Sequence, residues 1–414
     1  MPQAMRFAAY RNFVRCEYAP DPRLTLKIAD TREELEACFR LLHDAYVASG
    51  FMRTDPSGMR VNIYHALPTT TTLCAKFDGE VVGTISLIRE SAFGFPLQSI
   101  FDLRALREKR GRIAEVSALA VDPRYRNTGG SVLFPLMKFM YQYCDAFFDT
   151  RHLVIAVNPR HIEMYESLML FQRLAENQVD NYDFANGAPA VGATLDLHLA
   201  PRLLQEAYRD KPPRKNLYHY FAVAKLPNIA MPTRRYFTTN DPVMTPELLD
   251  YFFNQRTRAF EKLQARERGL LHAVYNLPKY AAVLPALPAG SESSYRQRAH
   301  ARYSLKCPAT FVLVGDGPKS EHQVMVIECS DDGFLALSHH ELPLNVWGQA
   351  HIRLGHNETS VIRAMSVRVQ RTTANWAYGF TVTETDLPWR TLVGVLQWGS
   401  THDDLNIASQ FLED

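Results

Sequence analysis

Between Leu24 and about Leu226 helix-spaced and strand-like apolar runs alternate, whereas between Tyr295 and about Gln397 only short strand-like runs remain. A period near 3.6 and a period of 2 turn apolar faces towards different partners, so the two halves require separate cores. The 414 residues leave room for two or three domains. In the first half, Thr31 to Ala48 spaces Leu35, Cys38, Phe39, Leu42 and Tyr46 as a helix behind a Thr31/Glu34 capping-box pattern. Thr71–Phe77 and Val81–Ile88 flank Asp78-Gly79-Glu80, a hairpin signal. Ala114–Val121 reads as a strand, and Val132–Phe148 as a long helix with Pro135 near its first turn. His152–Val157 reads as a further strand and His161–Phe171 as a short helix.

In the second half Ala309–Val314, Gln323–Glu328, Phe334–Ser338, Gln349–Leu354, Ser360–Gln370 and Tyr378–Thr383 are strand-like, a spacing that predicts a small barrel. The intervening stretch reads as a connector, helix-prone over Thr245–Leu271 and expected to contain at least one long helix, and it ends in a linker, Ala289–Ser294. The expected division is an N-terminal extension (1–23), an α/β domain (24–226), a helical connector and linker (227–294), an all-β barrel (295–397) and a C-terminal tail (398–414).

Charge and composition exclude several classes. With 46 Lys+Arg against 44 Asp+Glu the chain lacks the basic footprint of a nucleic-acid binder. No run reaches the ~20 apolar residues of a membrane span, although peripheral membrane contact stays open. The N-terminal stretch, interrupted by Arg6, Arg11 and Arg15, lacks the apolar core of a signal peptide, so the expected location is the cytoplasm. The six cysteines show no C-x-x-C spacing; no metal site is expected, and buried reduced thiols are.

The segment Glu115-Val-Ser-Ala-Leu-Ala-Val121-Asp-Pro-Arg124-Tyr-Arg126-Asn-Thr-Gly129-Gly130-Ser131 runs from strand through a basic glycine loop into a helix. Glycines admit close backbone approach, and a helix start favours an anion such as a phosphate. Downstream, Asn158-Pro-Arg-His161-Ile-Glu-Met-Tyr165 follows another strand. The pair resembles the GNAT acyltransferase superfamily. That resemblance implies that Val121, Arg126, Gly129, Gly130 and Ser131 hold the pantetheine phosphate of the donor and that Tyr165 lies near the thioester sulfur. The family loop ends Gly-x-Gly or Gly-x-Ala, whereas this one ends Gly129-Gly130-Ser131.

Tyr46-Val-Ala-Ser-Gly-Phe51, Pro68-Thr-Thr-Thr-Thr-Leu73, Gly83-Thr-Ile-Ser-Leu87, Gly94-Phe-Pro96 and Ala114–Val121 are similar to the long-chain N-acyl amino acid synthases, relatives of the acyl-homoserine-lactone autoinducer synthases. The similarity implies transfer of a long-chain acyl group from the acyl-phosphopantetheine thioester of an acyl carrier protein to the α-amine of an amino acid. Autoinducer synthases carry an arginine close after the strand glutamate, where this chain has Ala118.

Attack on a thioester needs a neutral amine, and a nearby carboxylate takes the amine's proton best when burial raises its pKa. Glu115, which opens an apolar run, is the candidate base; the alternative is a strand-edge glutamate paired with an arginine. Tyr165 either protonates the departing thiolate or packs in the core. A backbone N–H from Leu119–Val121 is the expected oxyanion donor. Arg53 and Arg60 are both open as partners for the acceptor's carboxylate. The cluster Arg104, Arg107, Lys109, Arg110 and Arg112 either docks the acidic carrier protein or is a solvated face.

After the linker comes Tyr295-Arg296-Gln-Arg298-Ala-His-Ala-Arg302, and later Glu328-Cys-Ser330-Asp-Asp-Gly333. These resemble the R-x-x-x-R and [D/N]-x-S-x-x-G motifs of the PilZ domain, to which Tyr378-Gly379-Phe380-Thr381 adds a similar closing strand. The resemblance implies cyclic di-GMP bound by Arg298, Arg302, Glu328, Ser330 and Gly333, with Glu328 standing where the family has Asp or Asn. Arginine suits such a ligand because its guanidinium grips phosphate or a guanine edge bidentately, and Gly333 would permit a tight turn.

The expected fold is therefore a GNAT-like α/β acyltransferase followed by a helical connector and an all-β PilZ barrel. Two other readings compete with regulated acyl transfer to an amino acid. One is a CoA-dependent N-acetyltransferase of a small amine; the other is a non-enzymatic cyclic di-GMP effector with a degenerate GNAT domain.

Overall fold

Asp78 and Gly79 both adopt left-handed backbone, φ +50° and +86°, closing a tight hairpin between strands β2 (Thr70–Phe77) and β3 (Glu80–Arg89). This is seen in a computed structural model of the chain, which describes residues 2–126, 128–275, 277–287, 302–313, 320–371 and 375–398. These fall into two compact units. The first comprises the residues up to Arg107, Gly111–Pro232 and Leu248–Lys262, and the second comprises the remainder.

The first unit is built on one mixed sheet. Strands β1 (Leu24–Ile28), β2, β3 and β4 (Ile113–Val121) form an antiparallel run. It continues through β5 (His152–Val157) and β8 (Ala188–Asp196) to β6 (Gln172–Arg173), with β7 (Val179–Tyr182) also on β8. Helix α2 (Arg32–Ala48) packs on β3 and β4. Its Thr31 cap accepts from Glu34 N at 3.2 Å, but the reciprocal half of the expected capping box is missing. The Glu34 carboxylate instead takes Asp30 N at 3.3 Å and the ammonium groups of Lys27 and Lys76 at 2.8 and 2.6 Å.

Helix α4 (Leu133–Ala146) keeps Pro135 in its first turn and presses Leu136, Met137, Phe139, Met140 and Tyr143 into the main core. A short helix α3 (Arg104–Arg107) precedes β4. The N-terminal residues are part of this unit: α1 (Gln3–Phe13) is tied to α5 (Pro159–Met164) by an Arg6–Glu163 ion pair of 2.7 Å, and Val14 and Cys16 are buried in the core. Helix α6 (Ala200–Ala207) adds Leu204 to the same core.

The helix-prone stretch Thr245–Leu271, expected to hold at least one long helix, does not run unbroken. It is broken into α7 (Pro246–Leu249), a π-helical turn (Asp250–Arg256), a 3-10 turn (Ala259–Lys262) and α8 (Ala265–Val274). The break has a local cause. Thr257 turns back onto Phe252 O with both its N–H (3.2 Å) and its hydroxyl (2.6 Å), and Arg258 then takes φ +50°. The interruption lets Phe252, Phe253 and Phe260 all point inward, Phe252 lying edge-on to Phe39 at 5.1 Å.

In the second unit β9 (Tyr303–Leu313), β10 (Glu321–Cys329), β11 (Gly333–Ser338), β12 (Trp347–Arg353), β13 (Thr359–Arg371) and β14 (Trp376–Glu384) close into an antiparallel barrel, order β10-β11-β14-β13-β12-β9. Each expected strand is present and begins one to six residues earlier than expected; β12 ends at Arg353, one residue short of the expected Leu354, and Val314 lies outside the described residues. Helix α9 (Leu387–Trp398) was not expected; its Trp389, Leu392, Val393 and Leu396 join the barrel core.

Candidate acyl-transfer site

The site begins where two neighbouring strands part. Parallel β4 and β5 pair only from Ile113↔His152 to Glu115↔Val154, after which β5 continues to pair with β8 through Val157. Beyond Glu115 the two strands diverge, and Val116–Val121 with Ile155–Val157 line a cavity of about 400 Å³. Its size is that of a small-molecule pocket. β4 also bulges against β3: Ser86 pairs with Ser117 and Thr84 with Ala120, and Ala118 sits in the left-handed region at φ +55°. A bulge leaves backbone groups outside the ladder. Here they belong to residues that line the cavity, which supplies the setting expected for an oxyanion donor in Leu119–Val121. At Ala118 a small side chain is the easier occupant of a strained bulge.

Glu115 stands at the vertex of this divergence. It is 2% exposed and its Oε2 accepts one hydrogen bond, from Leu97 N at 3.0 Å. Burial pushes its carboxyl up to about 8, against the smaller lowering effect of that bond. Among the described residues it has no cationic partner, so the alternative of a strand-edge glutamate paired with an arginine does not hold. A carboxyl in this state exchanges protons near neutral pH.

Tyr165 is the first residue of a π-helical turn, Tyr165–Met169, that follows α5. Such turns re-aim side chains and recur at functional sites. The Tyr165 ring lines the same cavity, packs edge-on to Phe171 at 5.9 Å, and is held protonated: burial, with Tyr46 beside it, pushes its hydroxyl up to about 12. The ring is therefore packed and at the same time part of the cavity wall. His161 is exposed at the cavity wall, and Asn158 caps α5 by accepting from Arg160 N at 3.1 Å.

The loop residues expected to hold the donor phosphate divide between two cavities. Val121 and Arg126 line the first, with Arg126 Nε donating to Val121 O at 2.8 Å. Gly129, Gly130 and Ser131 line a second cavity of about 650 Å³ together with Arg15, Arg214 and Lys215. Both glycines have positive φ, +69° and +86°. In the basic cluster, Arg104, Arg107 and Arg112 are each ion-paired, with Asp102 (2.7 Å), Glu90 (2.6 Å) and Asp149 (3.2 Å).

Tyr46 and Tyr182 are cavity residues that sequence reasoning did not single out as functional. The helical spacing of α2 puts Tyr46 among its apolar residues, and no motif marks Tyr182. Only the folded sheet brings them to the Glu115 end.

In the barrel unit, Arg298 lies outside the described residues. Arg302 is exposed and pairs with Glu328 at 3.7 Å. The Ser330 hydroxyl donates to Asp332 Oδ1 (2.8 Å) and Gly333 O (3.2 Å), so its hydrogen bonding is satisfied within the turn. Gly333 is not in the left-handed region, contrary to the tight-turn expectation. It is glycine because a Cβ would stand 2.2 Å from Phe380 O on the neighbouring strand.

Among the described residues no group of three His, Cys, Asp or Glu could hold a metal, and no helix is long and apolar enough to cross a membrane. All six cysteines are buried free thiols.

Comparison with known proteins bears on the first unit. Residues 37–196 match the family model described as N-acyl amino acid synthase FeeM. FeeM itself, an N-acyl amino acid synthase from uncultured soil microbes, is 26% identical over 44% of this chain and 95% of its own, with a TM-score of 0.37. The CoA-dependent acyl-homoserine lactone synthase BjaI is 18% identical over 51% of this chain and 94% of its own (TM-score 0.36). A GNAT-family acetyltransferase from Streptococcus pneumoniae is 14% identical over 42% and 98% (TM-score 0.30). No curated protein gives a match. The matched segment contains the vertex glutamate, the bulged strand and the tyrosine turn, and the chain is an N-acyltransferase.

Proposed function

We propose that the chain transfers a long-chain fatty acyl group from the phosphopantetheine thioester of an acyl carrier protein to the α-amine of an amino acid. The observation that carries this reading is Glu115, a buried carboxyl with no cationic partner among the described residues, its pKa pushed up to about 8, at the vertex of an apolar-lined cavity.

The chemistry follows from the groups at hand. The acceptor arrives as an ammonium ion, and Glu115 in its ionised form takes one proton, leaving a neutral amine whose lone pair attacks the thioester carbonyl carbon. The C–N bond forms, and the carbonyl oxygen becomes an oxyanion beside the backbone of the bulge at Ala118. The C–S bond then breaks. The departing sulfur takes a proton from Tyr165, which regains it from the nitrogen of the intermediate, leaving amide and thiol. Burial keeps the Tyr165 hydroxyl in its O–H form at neutral pH, so the proton is present when the sulfur leaves and is replaced by the one on nitrogen.

The barrel extends the proposal on its sequence motifs: Arg298, Arg302, Glu328, Ser330 and Gly333 resemble the cyclic di-GMP-binding motifs of the PilZ domain, and the 3.7 Å Arg302–Glu328 pair supports the reading by bringing two of them together. The Arg302–Glu328 pair is solvent-accessible and weak enough to yield to a phosphate. We propose that the dinucleotide binds there and modulates acyl transfer.

Purified full-length chain, given dodecanoyl carrier protein or dodecanoyl-CoA and a mixture of amino acids, is expected to yield N-acyl amino acids faster from the carrier protein. Preference for acetyl-CoA and a simple amine would replace this reading with the small-amine acetyltransferase. Calorimetric titration with cyclic di-GMP should give saturable binding that Arg302→Ala abolishes. Absence of heat with the unaltered chain would remove the barrel from the proposal.

A further inference from the structure

Arg60 is half-buried and has no counterion among the described residues. Its guanidinium carbon lies 4.1 Å from the centre of the Tyr46 ring and 4.9 Å from that of Phe184, and both rings line the cavity that Glu115 heads. Nη2 donates to Phe184 O at 2.8 Å and Nη1 lies 4.0 Å from Met52 Sδ, and neither contact supplies negative charge. Among the described residues no carboxylate lies within ion-pair distance of it. A cation removed from water calls for an anion, and a stacked guanidinium offers its planar edge for a bidentate one. Arg53, the other arginine of this region, is exposed.

A second observation points the same way. Tyr182 is 4% exposed and lines the cavity, and its hydroxyl has no hydrogen-bond partner among the described residues. A buried hydroxyl without a partner is costly unless a ligand satisfies it. Tyr46 and Tyr182 each feel the charge of both Glu115 and Arg60, so the two tyrosines stand within electrostatic range of the base on one side and the cation on the other. The ligand that fits between them has an amine at one end and an anion a few atoms away.

We propose that Arg60, aided by the Tyr182 hydroxyl, is the anchor for the free α-carboxylate of the acceptor, so that the enzyme takes α-amino acids and rejects their amides and decarboxylated amines. This rests on the acyl-transfer reading above and narrows its substrate class. The carboxylate enters between the Tyr46 and Phe184 rings, meets the guanidinium edge, and leaves the amine turned towards Glu115. No bond changes at Arg60, which acts in binding and orientation.

Two measurements on the full chain test this. The first is equilibrium binding of N-dodecanoylglycine against N-dodecanoylglycinamide, glycine being the side chain that any acceptor pocket admits. A guanidinium–carboxylate bond worth about 1.5–3 kcal/mol predicts roughly 10- to 100-fold tighter binding of the acid. In Arg60→Gln this ratio should fall towards one, and Arg60→Lys should restore part of it. The second is turnover with equimolar glycine and glycinamide, read by mass spectrometry of the two products. Equal binding of acid and amide by the unaltered chain, or binding of neither, overturns the proposal without reliance on any variant. Acylation of both acceptors at equal rates removes the carboxylate anchor while leaving acyl transfer in place. Selective binding of the acid without turnover from any thioester leaves the anchor in place and removes acyl transfer.

Discussion

Replacing Glu115 by Gln should change how the first unit's stability depends on pH. The folded carboxyl titrates near 8, against 4.5 for an unhindered one, because burial penalises its ionised form. Between those values the folded state holds a proton that the unfolded state releases. Stability from this group is therefore highest below 4.5, falls as pH rises through the window, and levels off above about 8. At about 1.4 kcal/mol per pH unit, the loss between pH 5 and pH 9 comes to about 4 kcal/mol as an upper figure. Glutamine does not titrate, and its Oε1 can still accept from Leu97 N, so the variant lacks this slope.

Urea unfolding followed by far-ultraviolet circular dichroism at pH 5, 7 and 9 would measure the difference. All four tryptophans, Trp347, Trp376, Trp389 and Trp398, belong to the barrel unit, so their fluorescence supplies an internal reference. The wild-type chain should lose several kcal/mol relative to Glu115→Gln between pH 5 and pH 9. Identical pH dependence in both chains would mean that Glu115 titrates as an ordinary exposed glutamate, and the argument for a buried base would collapse.

The rate of acyl transfer should rise with pH along a limb centred near 8, since the ionised carboxylate is the active form; a pH–kcat/KM profile of Glu115→Gln should lose both that limb and roughly 100-fold or more of the rate. Tyr165→Phe should lower kcat about 10- to 100-fold with little change in KM, because the ring packing on Phe171 is retained and only the proton donor is lost; an unchanged kcat would leave Tyr165 as a packing residue. Ala118→Val should cost about 1–2 kcal/mol and depress turnover, a branched side chain being strained at φ +55°; a thermal midpoint and a rate equal to wild type would show that the bulge does not matter. Gly333→Ala should destabilise the barrel by about 2–4 kcal/mol, seen as a lower midpoint in tryptophan fluorescence, because its Cβ would meet Phe380 O at 2.2 Å. An unshifted midpoint would refute that packing argument.

The strands of the barrel and the hairpin at Asp78-Gly79 were legible because alternation and turn chemistry are local signals that survive in any tertiary setting. The break in the Thr245–Leu271 helix was not legible, since helical spacing over that stretch says nothing of a Thr257 side chain competing for Phe252 O. Glu115 could be singled out from its apolar context, yet its lack of a cationic partner is a property of the folded sheet. The division of the glycine loop from Val121 and Arg126 into a separate cavity, and the convergence of Tyr46, Tyr182 and Arg60, depend on contacts between residues more than a hundred positions apart. Sequence periodicity carries no trace of such meetings.

The central claim is that this chain makes an amide from an acyl thioester and an amino acid with Glu115 as the base. The most direct measurement is mass spectrometry of the lipids formed when the purified full-length chain, or its Glu115→Gln variant, is given dodecanoyl carrier protein and the twenty common amino acids. N-dodecanoyl amino acids from the wild type, reduced at least 100-fold in the variant, are the predicted result. No N-acyl amino acid from the wild-type chain with carrier-protein or CoA thioesters would contradict the account.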